Sequence, residues 1–180
     1  MRKSVLVVVG CLVLSAAPAW AGGAFHLFGT YGEVTNGDRM FGAGVRGSLG
    51  SDQFVVDLTA TWYPEHGATP VSENGFEIDD DLQMIPFDLG LRWVFSPTSE
   101  LRPYIGAGAT YVMLNVGRGD VDDEAGFYGL AGFIVQFGGD GGFFAEAIYR
   151  AVEATFVYEG IEYEQDVGGL AASVGVFWAF

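Results

Sequence analysis

Two histidines are the residues of this chain best suited to acid–base or zinc chemistry, and neither stands beside the partners that such chemistry needs. His26 lies in a segment of alternating apolar and polar residues, and His66 follows Glu65 in a long connecting stretch. A hydrolytic site needs a serine or cysteine within hydrogen-bond reach of the histidine, and the sequence places none beside either one. Zinc sites need several ligands, which two histidines and scattered acids do not supply. We therefore expect a protein that is not an enzyme, with no catalytic residue, no metal site and no other cofactor.

Acidic residues gather in two places between the alternating segments. They are the run Asp79–Asp81 and the group Asp120, Asp122, Asp123 and Glu124. Neither has the D-x-D-x-D-G spacing of a calcium loop, so we interpret both as solvated surface loops whose charges repel one another. The tripeptide Arg118–Asp120 (RGD) lies in the second of these loops, and adhesion through it is an open alternative. The partner of such a loop is not specified by the sequence.

Six further charged residues lie inside the alternating segments, on the face that carries glycine and polar residues. They are three cations and three anions, namely Arg46, Asp57, Asp88, Arg92, Glu146 and Arg150. A single charge in a poorly hydrated interior is costly, whereas opposite charges neutralise one another there. We predict an interior network of ion pairs that fills the space enclosed by the strands. The alternative is a ring of charges that lines an ion pathway.

The segments that position these charges alternate with a period of two. They lie at 24–34, 39–49, 53–63, 82–95, 101–115, 126–137, 143–152 and 167–180. In the third segment, apolar residues occupy every second position from Phe54 to Trp62, while Asp57 and Thr59 lie between them. Alternating segments of about 10 residues are typical of strands that cross a membrane as a barrel. Aromatic residues near the segment ends suit the girdles at the membrane interfaces, namely Trp62, Trp93, Phe95, Tyr149 and Trp178.

Connections between the eight segments are of two kinds. After the second, fourth and sixth segments they are short and rich in turn residues, and read GSD, SPTSE and GGDGG. After the third, fifth and seventh they are longer and acidic, while the first connection, TNGD, is short. Short periplasmic turns and longer outer loops are typical of bacterial membrane barrels. The pattern predicts an all-β, eight-stranded antiparallel up-and-down barrel, whose first strand pairs with the last because hydrocarbon does not tolerate an unpaired strand edge.

The turns also predict which inward residues face each other. If the dipeptide SD forms the second turn, Arg46 stands directly opposite Asp57, whereas a turn centred one residue earlier makes them diagonal neighbours. A five-residue turn at 96–100 sets Asp88 against Gly108, and such glycines leave room for arginine side chains. We therefore expect an ion pair between Arg46 and Asp57 on adjacent strands.

Net charge and hydropathy limit the class of partner. The chain has a formal net charge of -15, yet its mean hydropathy is +0.29, so its acidic and apolar residues must be segregated. Only eight lysines and arginines stand against 23 acids, which leaves no basic face to neutralise phosphates. Nucleic acid is therefore excluded as a partner.

The N-terminal segment has the features of an export signal. Two basic residues precede the apolar run Val5–Leu14, and small residues then lead to a cleavage site after Ala21. We expect residues 1–21 to be removed as a signal peptide and residues 22–180 to form a single barrel domain. Cys11 is the only cysteine, so this domain must be stable without disulfides.

The last strand carries a pattern of alternating apolar residues that ends in an aromatic residue, Phe180. The sequence SVGVFWAF places Val174, Val176, Trp178 and Phe180 on one face. Together with the phrase RPYIGAGATY at 102–111, it resembles the eight-stranded outer-membrane barrels of the OmpA and OmpW types. The resemblance implies a protein embedded in the lipid of the outer membrane of a Gram-negative bacterium. It also implies that these four residues are the signal read by the barrel-assembly machinery during biogenesis.

Two classes of function stay open within this resemblance. A structural or interaction barrel has a lumen filled by side chains and acts through its acidic surface loops. A narrow, OmpW-like channel passes small apolar solutes and has an apolar entrance and a lateral gap between strands. Inward glycines that could leave a cavity favour the channel, namely Gly42, Gly44, Gly106, Gly108, Gly132, Gly169 and Gly175. A lipid-modifying barrel enzyme is a further alternative on the same architecture.

Overall fold

The computed structural model describes residues 22–34, 39–68, 80–116, 124–137, 139–158, 161–166 and 168–180. The predicted signal peptide, the RGD tripeptide and Asp79 lie outside these residues. Within the described residues, no helix is long and apolar enough to cross a membrane.

Eight of the described strands form a closed barrel in which every neighbouring pair is antiparallel. The barrel strands are β1 (Gly23–Val34), β2 (Arg39–Gly50), β3 (Phe54–Ala68), β4 (Asp80–Val94), β5 (Leu101–Val116), β6 (Glu124–Phe137), β7 (Gly141–Ala151) and β10 (Gly169–Ala179). Each strand pairs with its sequence neighbours, except that β7 pairs with β10 and β10 closes the barrel against β1. The predicted fold class is confirmed.

The connection between β7 and β10 contains a hairpin of its own. Strands β8 (Glu153–Tyr158) and β9 (Ile161–Asp166) pair with each other and form a separate two-stranded sheet. The sequence analysis treats this stretch only as a long acidic connection. Strands of a separate hairpin alternate with the same period of two as strands of the barrel, so the pattern does not show where the barrel ends.

The third and fourth strands also extend further than predicted. Their pairing continues past a register irregularity between Tyr63 and His66, and ends with Ala68 opposite Asp80. His66 therefore lies in a strand opposite Leu82, and the prediction that it lies in a loop is wrong. A β-bulge of this kind accommodates one extra residue without ending the strand pair.

The outer face of the barrel is apolar around its whole circumference. Large side chains such as Leu91 and Phe127 are 64% and 75% exposed, while the charged and hydroxyl side chains between them point inward and are buried. Soluble proteins rarely expose apolar surface on this scale. The aromatic residues named above as interfacial girdles all lie on this face and are exposed.

The two ends of the barrel differ, and we name them by their connections. The turn end carries Gly23, Ala179 and the short connections after β2, β4 and β6, and the loop end is opposite. At the turn end the seam between β1 and β10 is completed by Phe180, whose backbone exchanges hydrogen bonds with Gly23 at 2.8 and 2.9 Å. In bacterial barrels the short turns face the periplasm.

Two hairpins differ from their predicted register by two residues. Ser48, and not Arg46, pairs with Asp57, so the prediction that Arg46 stands opposite Asp57 is wrong. The cause is the position of the turn, which is centred on Asp52 and Gln53, one residue later than predicted, and in which the Ser51 N–H donates to the Phe54 carbonyl at 2.9 Å.

The turn between β4 and β5 is two residues longer than predicted. The Phe95 N–H donates to the Pro103 carbonyl at 2.7 Å, and Asp88 lies opposite Thr110 rather than Gly108. Because both shifts are even, every side chain keeps its predicted face.

Candidate functional site

The six charged residues of the interior form three ion pairs. All six are buried, with between 1% and 7% of their surface exposed. The pairs are Arg46 with Glu146, Arg92 with Asp57, and Arg150 with Asp88. Two of the three pairs cross the lumen between strands that are not neighbours.

The pair of Arg46 and Glu146 joins β2 to β7 across the lumen. Both terminal nitrogens of the guanidinium donate to the carboxylate in a bidentate arrangement, and Nη1 lies 2.9 Å from Oε2. The Tyr104 hydroxyl donates to the same carboxylate at 2.8 Å, and Arg46 Nε donates to the Thr59 hydroxyl at 3.0 Å. Bidentate, charge-assisted hydrogen bonds of this kind are the strongest that side chains form.

Two aromatic rings that contact each other edge to face, Phe28 and Phe144, also pack against the same guanidinium. The centroids of the Phe28 and Phe144 rings lie 5.7 and 5.5 Å from Arg46 Cζ, which is within the range of cation–π attraction. Because the rings also exclude water, Arg46 is restricted to the one orientation that meets Glu146.

A second polar cluster lies nearer the turn end. Arg92 Nη2 donates to Asp57 Oδ1 at 3.1 Å and to the Ser48 hydroxyl at 3.2 Å. Arg92 Nε lies 3.0 Å from the other carboxylate oxygen, within ion-pair distance but not aligned for a hydrogen bond. The Ser48 hydroxyl donates to Asp57 at 2.6 Å, and Ser48 Oγ lies 3.0 Å from His26 Nε2.

This cluster corrects the prediction that no serine stands beside His26. Ala24 is directly opposite Ser48, and His26 is opposite Arg46, so Ser48 and His26 are diagonal neighbours on the inner face. The arrangement nevertheless differs from a hydrolytic triad, because Ser48 gives its proton to Asp57 and His26 Nε2 must then be a donor. His26 and Ser48 are also only 1% and 4% exposed, so the hydroxyl is shielded from any substrate.

The third pair lies towards the loop end, where Arg150 of β7 meets Asp88 of β4. Arg150 Nη2 donates to Asp88 Oδ2 at 2.6 Å and Arg150 Nε donates to Oδ1 at 3.1 Å. A layer of apolar side chains lies further towards the loop end, formed by Met40, Met84, Val112 and Val152. The charges are therefore separated from this opening by apolar side chains.

Inward glycines leave little free space in the described part of the lumen. A Cβ on Gly44 would lie 2.3 Å from the Phe28 ring, and a Cβ on Gly132 would lie 2.8 Å from the Tyr104 ring. A cavity near Met40 measures about 30 Å³, which is room for a water molecule but not for a solute. These glycines make room for aromatic side chains rather than for a ligand.

The four residues of the resemblance-based assembly signal lie on the outer face of β10 and just after it. Val174, Trp178 and Phe180 are exposed, and Val176 is partly covered. None of them contacts the charged interior, so any role they have is separate from that of the ion pairs.

No group of three or more histidine, cysteine or acidic side chains among the described residues is arranged to hold a metal ion.

Sequence reasoning missed Tyr104, Ser48 and His26 as members of the polar network. The alternation along each strand places all three side chains on the inner face, together with the buried charges. This position is the signal that could have identified them.

Several solved structures of outer membrane proteins are similar to this chain over most of its length. Outer membrane protein OprG from Pseudomonas aeruginosa has a TM-score of 0.69 and 15% identity, over 89% of this chain and 97% of that chain. Neisserial surface protein A has a TM-score of 0.66 and 15% identity, over 88% and 96%. Outer membrane protein W of E. coli has a TM-score of 0.62 and 19% identity, over 90% and 100%.

No protein-family model and no curated protein matches the chain. Because the sequence identities to these solved structures are only 15% to 19%, the similarity shows the fold alone. The chain has the fold of the eight-stranded outer-membrane β-barrels, which confirms the resemblance inferred from its alternating segments and its last strand.

Proposed function

We propose that this protein spans the outer membrane of a Gram-negative bacterium as a barrel with a closed lumen. It has no catalytic activity, and its role is structural or is exerted through its extracellular loops. Its partners are the membrane lipid around the apolar face, the barrel-assembly machinery during biogenesis, and a loop partner that the described residues do not identify.

The ion pair between Arg46 and Glu146 is the observation that carries this proposal. It crosses the lumen from β2 to β7, all of its charged atoms are buried, and the Phe28 and Phe144 rings pack against its guanidinium. An eight-stranded barrel is just wide enough for side chains to fill its interior. A pathway for ions would require these side chains to separate and to be hydrated.

Conductance in planar lipid bilayers tests the closed lumen. The wild-type barrel is expected to give no stepwise ion current. The double variant Arg46→Ala with Glu146→Ala removes the pair that crosses the lumen and is expected to conduct. Stable unit currents from the wild type would contradict the proposal.

A second candidate function, the passage of small apolar solutes, is favoured by an interruption between β3 and β4. The pairing passes from Ala60–Phe87 directly to Tyr63–Met84, because Pro86 has no N–H to donate. An apolar layer also lies at the loop end of the lumen. A channel of this kind requires a lateral gap and an apolar entrance, and these two features are where we would expect them.

Crosslinking tests this second function. A disulfide between Ala60→Cys and Phe87→Cys would pin the interrupted seam, and one between Ala107→Cys and Gly129→Cys would pin a directly paired position of the β5–β6 seam as a control. If the seam opens, only the first disulfide slows the entry of the apolar dye phenylnaphthylamine into intact cells. Equal entry with both disulfides would exclude lateral passage at this seam.

A further inference from the structure

The outer surface of the barrel is not evenly convex, because a groove of about 650 Å³ crosses the faces of β10, β1, β2, β3 and β4. Its floor consists of small residues, with Gly29 directly opposite Ala43 and with Ala60 on the next strand. Larger side chains stand beside this floor, among them Trp62 and Val174, which are exposed. The groove lies midway along the strands.

The interruption in the strand pairing lies at one side of the same groove. Ile85 and Phe87, the neighbours of Pro86 in β4, line the groove at the point where the pairing of β3 with β4 passes from Ala60 directly to Tyr63. The concave shape thus follows from small residues on three strands, namely Gly29, Ala43 and Ala60. It does not depend on the rotamer of a single side chain.

We propose that this groove binds one acyl chain of an outer-membrane lipid. The inference rests on the proposed membrane location, which places the groove in the hydrocarbon layer. The side chains that face the groove are apolar except for the Trp62 indole N–H, so they offer almost nothing to a polar ligand. A chain lying in the groove contacts protein on several sides, and these dispersion contacts hold it longer than a chain on the convex surface.

A second copy of this barrel fits the groove less well than a lipid chain does. The common two-fold interface places the same patch of both copies face to face. Two concave patches that face each other enclose a larger void, and the atoms that line a void lose their contacts. A flexible hydrocarbon chain fills the groove without this cost.

Two glycines provide a matched pair of variants. Both Gly29 and Gly129 face outward and are exposed, and at each the nearest atom to an added Cβ is a backbone oxygen 4.0 Å away. Gly29→Leu would fill the groove, whereas Gly129→Leu adds the same side chain on β6, outside the groove. Neither residue belongs to the ion-pair network.

Trp62 reports directly on the occupant. In a background with Trp93→Phe and Trp178→Phe, Trp62 is the only tryptophan of residues 22–180. The barrel is held in detergent micelles and titrated with phosphatidylcholine whose acyl chains are brominated, since bromine quenches tryptophan on contact. We expect quenching to saturate at one lipid per barrel. Gly29→Leu should weaken the apparent affinity at least about tenfold, and Gly129→Leu should leave it unchanged.

Equal quenching curves for the two leucine variants, or quenching that never saturates, would overturn the acyl-chain site. Fractionation of cells that make the same proteins separates this failure from failure of the location. If both leucine variants and their parent occur in the outer membrane and bind the lipid alike, only the groove proposal fails. If the parent is recovered as a soluble protein, the location fails and the groove proposal fails with it.

Discussion

Arg46 and Glu146 depend on each other because neither has access to water that could replace its partner. Removing one charge from a buried pair leaves the other uncompensated, which costs about 3–5 kcal/mol, whereas a pair in a water-filled pore is worth about 1 kcal/mol or less. We expect Arg46→Ala to show the large loss in urea unfolding in detergent micelles. Adding Glu146→Ala should recover part of it, since no charge is then left alone.

Asp57 provides the control for this pair. Its own partner is Arg92, so Arg46→Ala combined with Asp57→Ala leaves two buried charges without partners. We expect no recovery of the free energy of unfolding in this second double variant. Recovery with Asp57→Ala and not with Glu146→Ala would show that the charges pair differently from the arrangement described above.

Gly44 is a residue whose role depends on a close approach of its neighbours. An added Cβ would lie 2.3 Å from the Phe28 ring and 2.9 Å from the Ala60 carbonyl oxygen, so the ring that covers Arg46 must move. We expect Gly44→Ala to lower the free energy of unfolding by about 1–3 kcal/mol. Gly29→Ala on the neighbouring strand should change it by less than about 0.5 kcal/mol, because its Cβ meets no close atom. Equal losses in the same unfolding assay would show that inward glycines are not packed closely.

At the scale of elements, the pairing of β1 with β10 closes the barrel. Phe180 contributes backbone hydrogen bonds to this seam and an exposed ring on the outer face. If the ring is read by the assembly machinery, Phe180→Ala should reduce the folded barrel in the outer membrane several-fold, since its backbone pairing does not require the ring.

Phe137 is the matched control for this prediction. It is exposed and lies at the same end of the barrel, at the end of β6. Phe137→Ala removes a similar aromatic surface without touching the closing seam, and we expect nearly normal levels of heat-modifiable protein on gels. A similar reduction in both variants would assign the effect to the aromatic girdle as a whole.

At the scale of the whole molecule, the apolar outer face and the charged inner face are the reverse of a soluble protein. A surface of this kind requires hydrocarbon around it. We therefore expect the protein to fractionate with the outer membrane and to migrate differently on gels before and after boiling. Recovery as a soluble periplasmic protein would contradict the proposed location.

The sequence by itself determined which face of each barrel strand is inside. A period of two assigns every side chain to one face, and an even shift in register leaves that assignment unchanged. This is why Arg46 and Asp57 are buried as the alternation predicts, although the turn between them lies one residue later than predicted. Closure of the barrel also followed from sequence, because unpaired strand edges are excluded from hydrocarbon.

Only the tertiary structure decided which inward charges meet. Arg46 and Glu146 lie 100 positions apart, and their contact depends on the curvature and stagger of all the intervening strands. Neither quantity can be read from local alternation, and each error in turn length moves a residue along the barrel axis. The proximity of Ser48 to His26 and the outer groove at Gly29 depend on the same stagger. The face on which a side chain lies is a local property of its strand. Which side chains meet across the lumen is a property of the closed sheet.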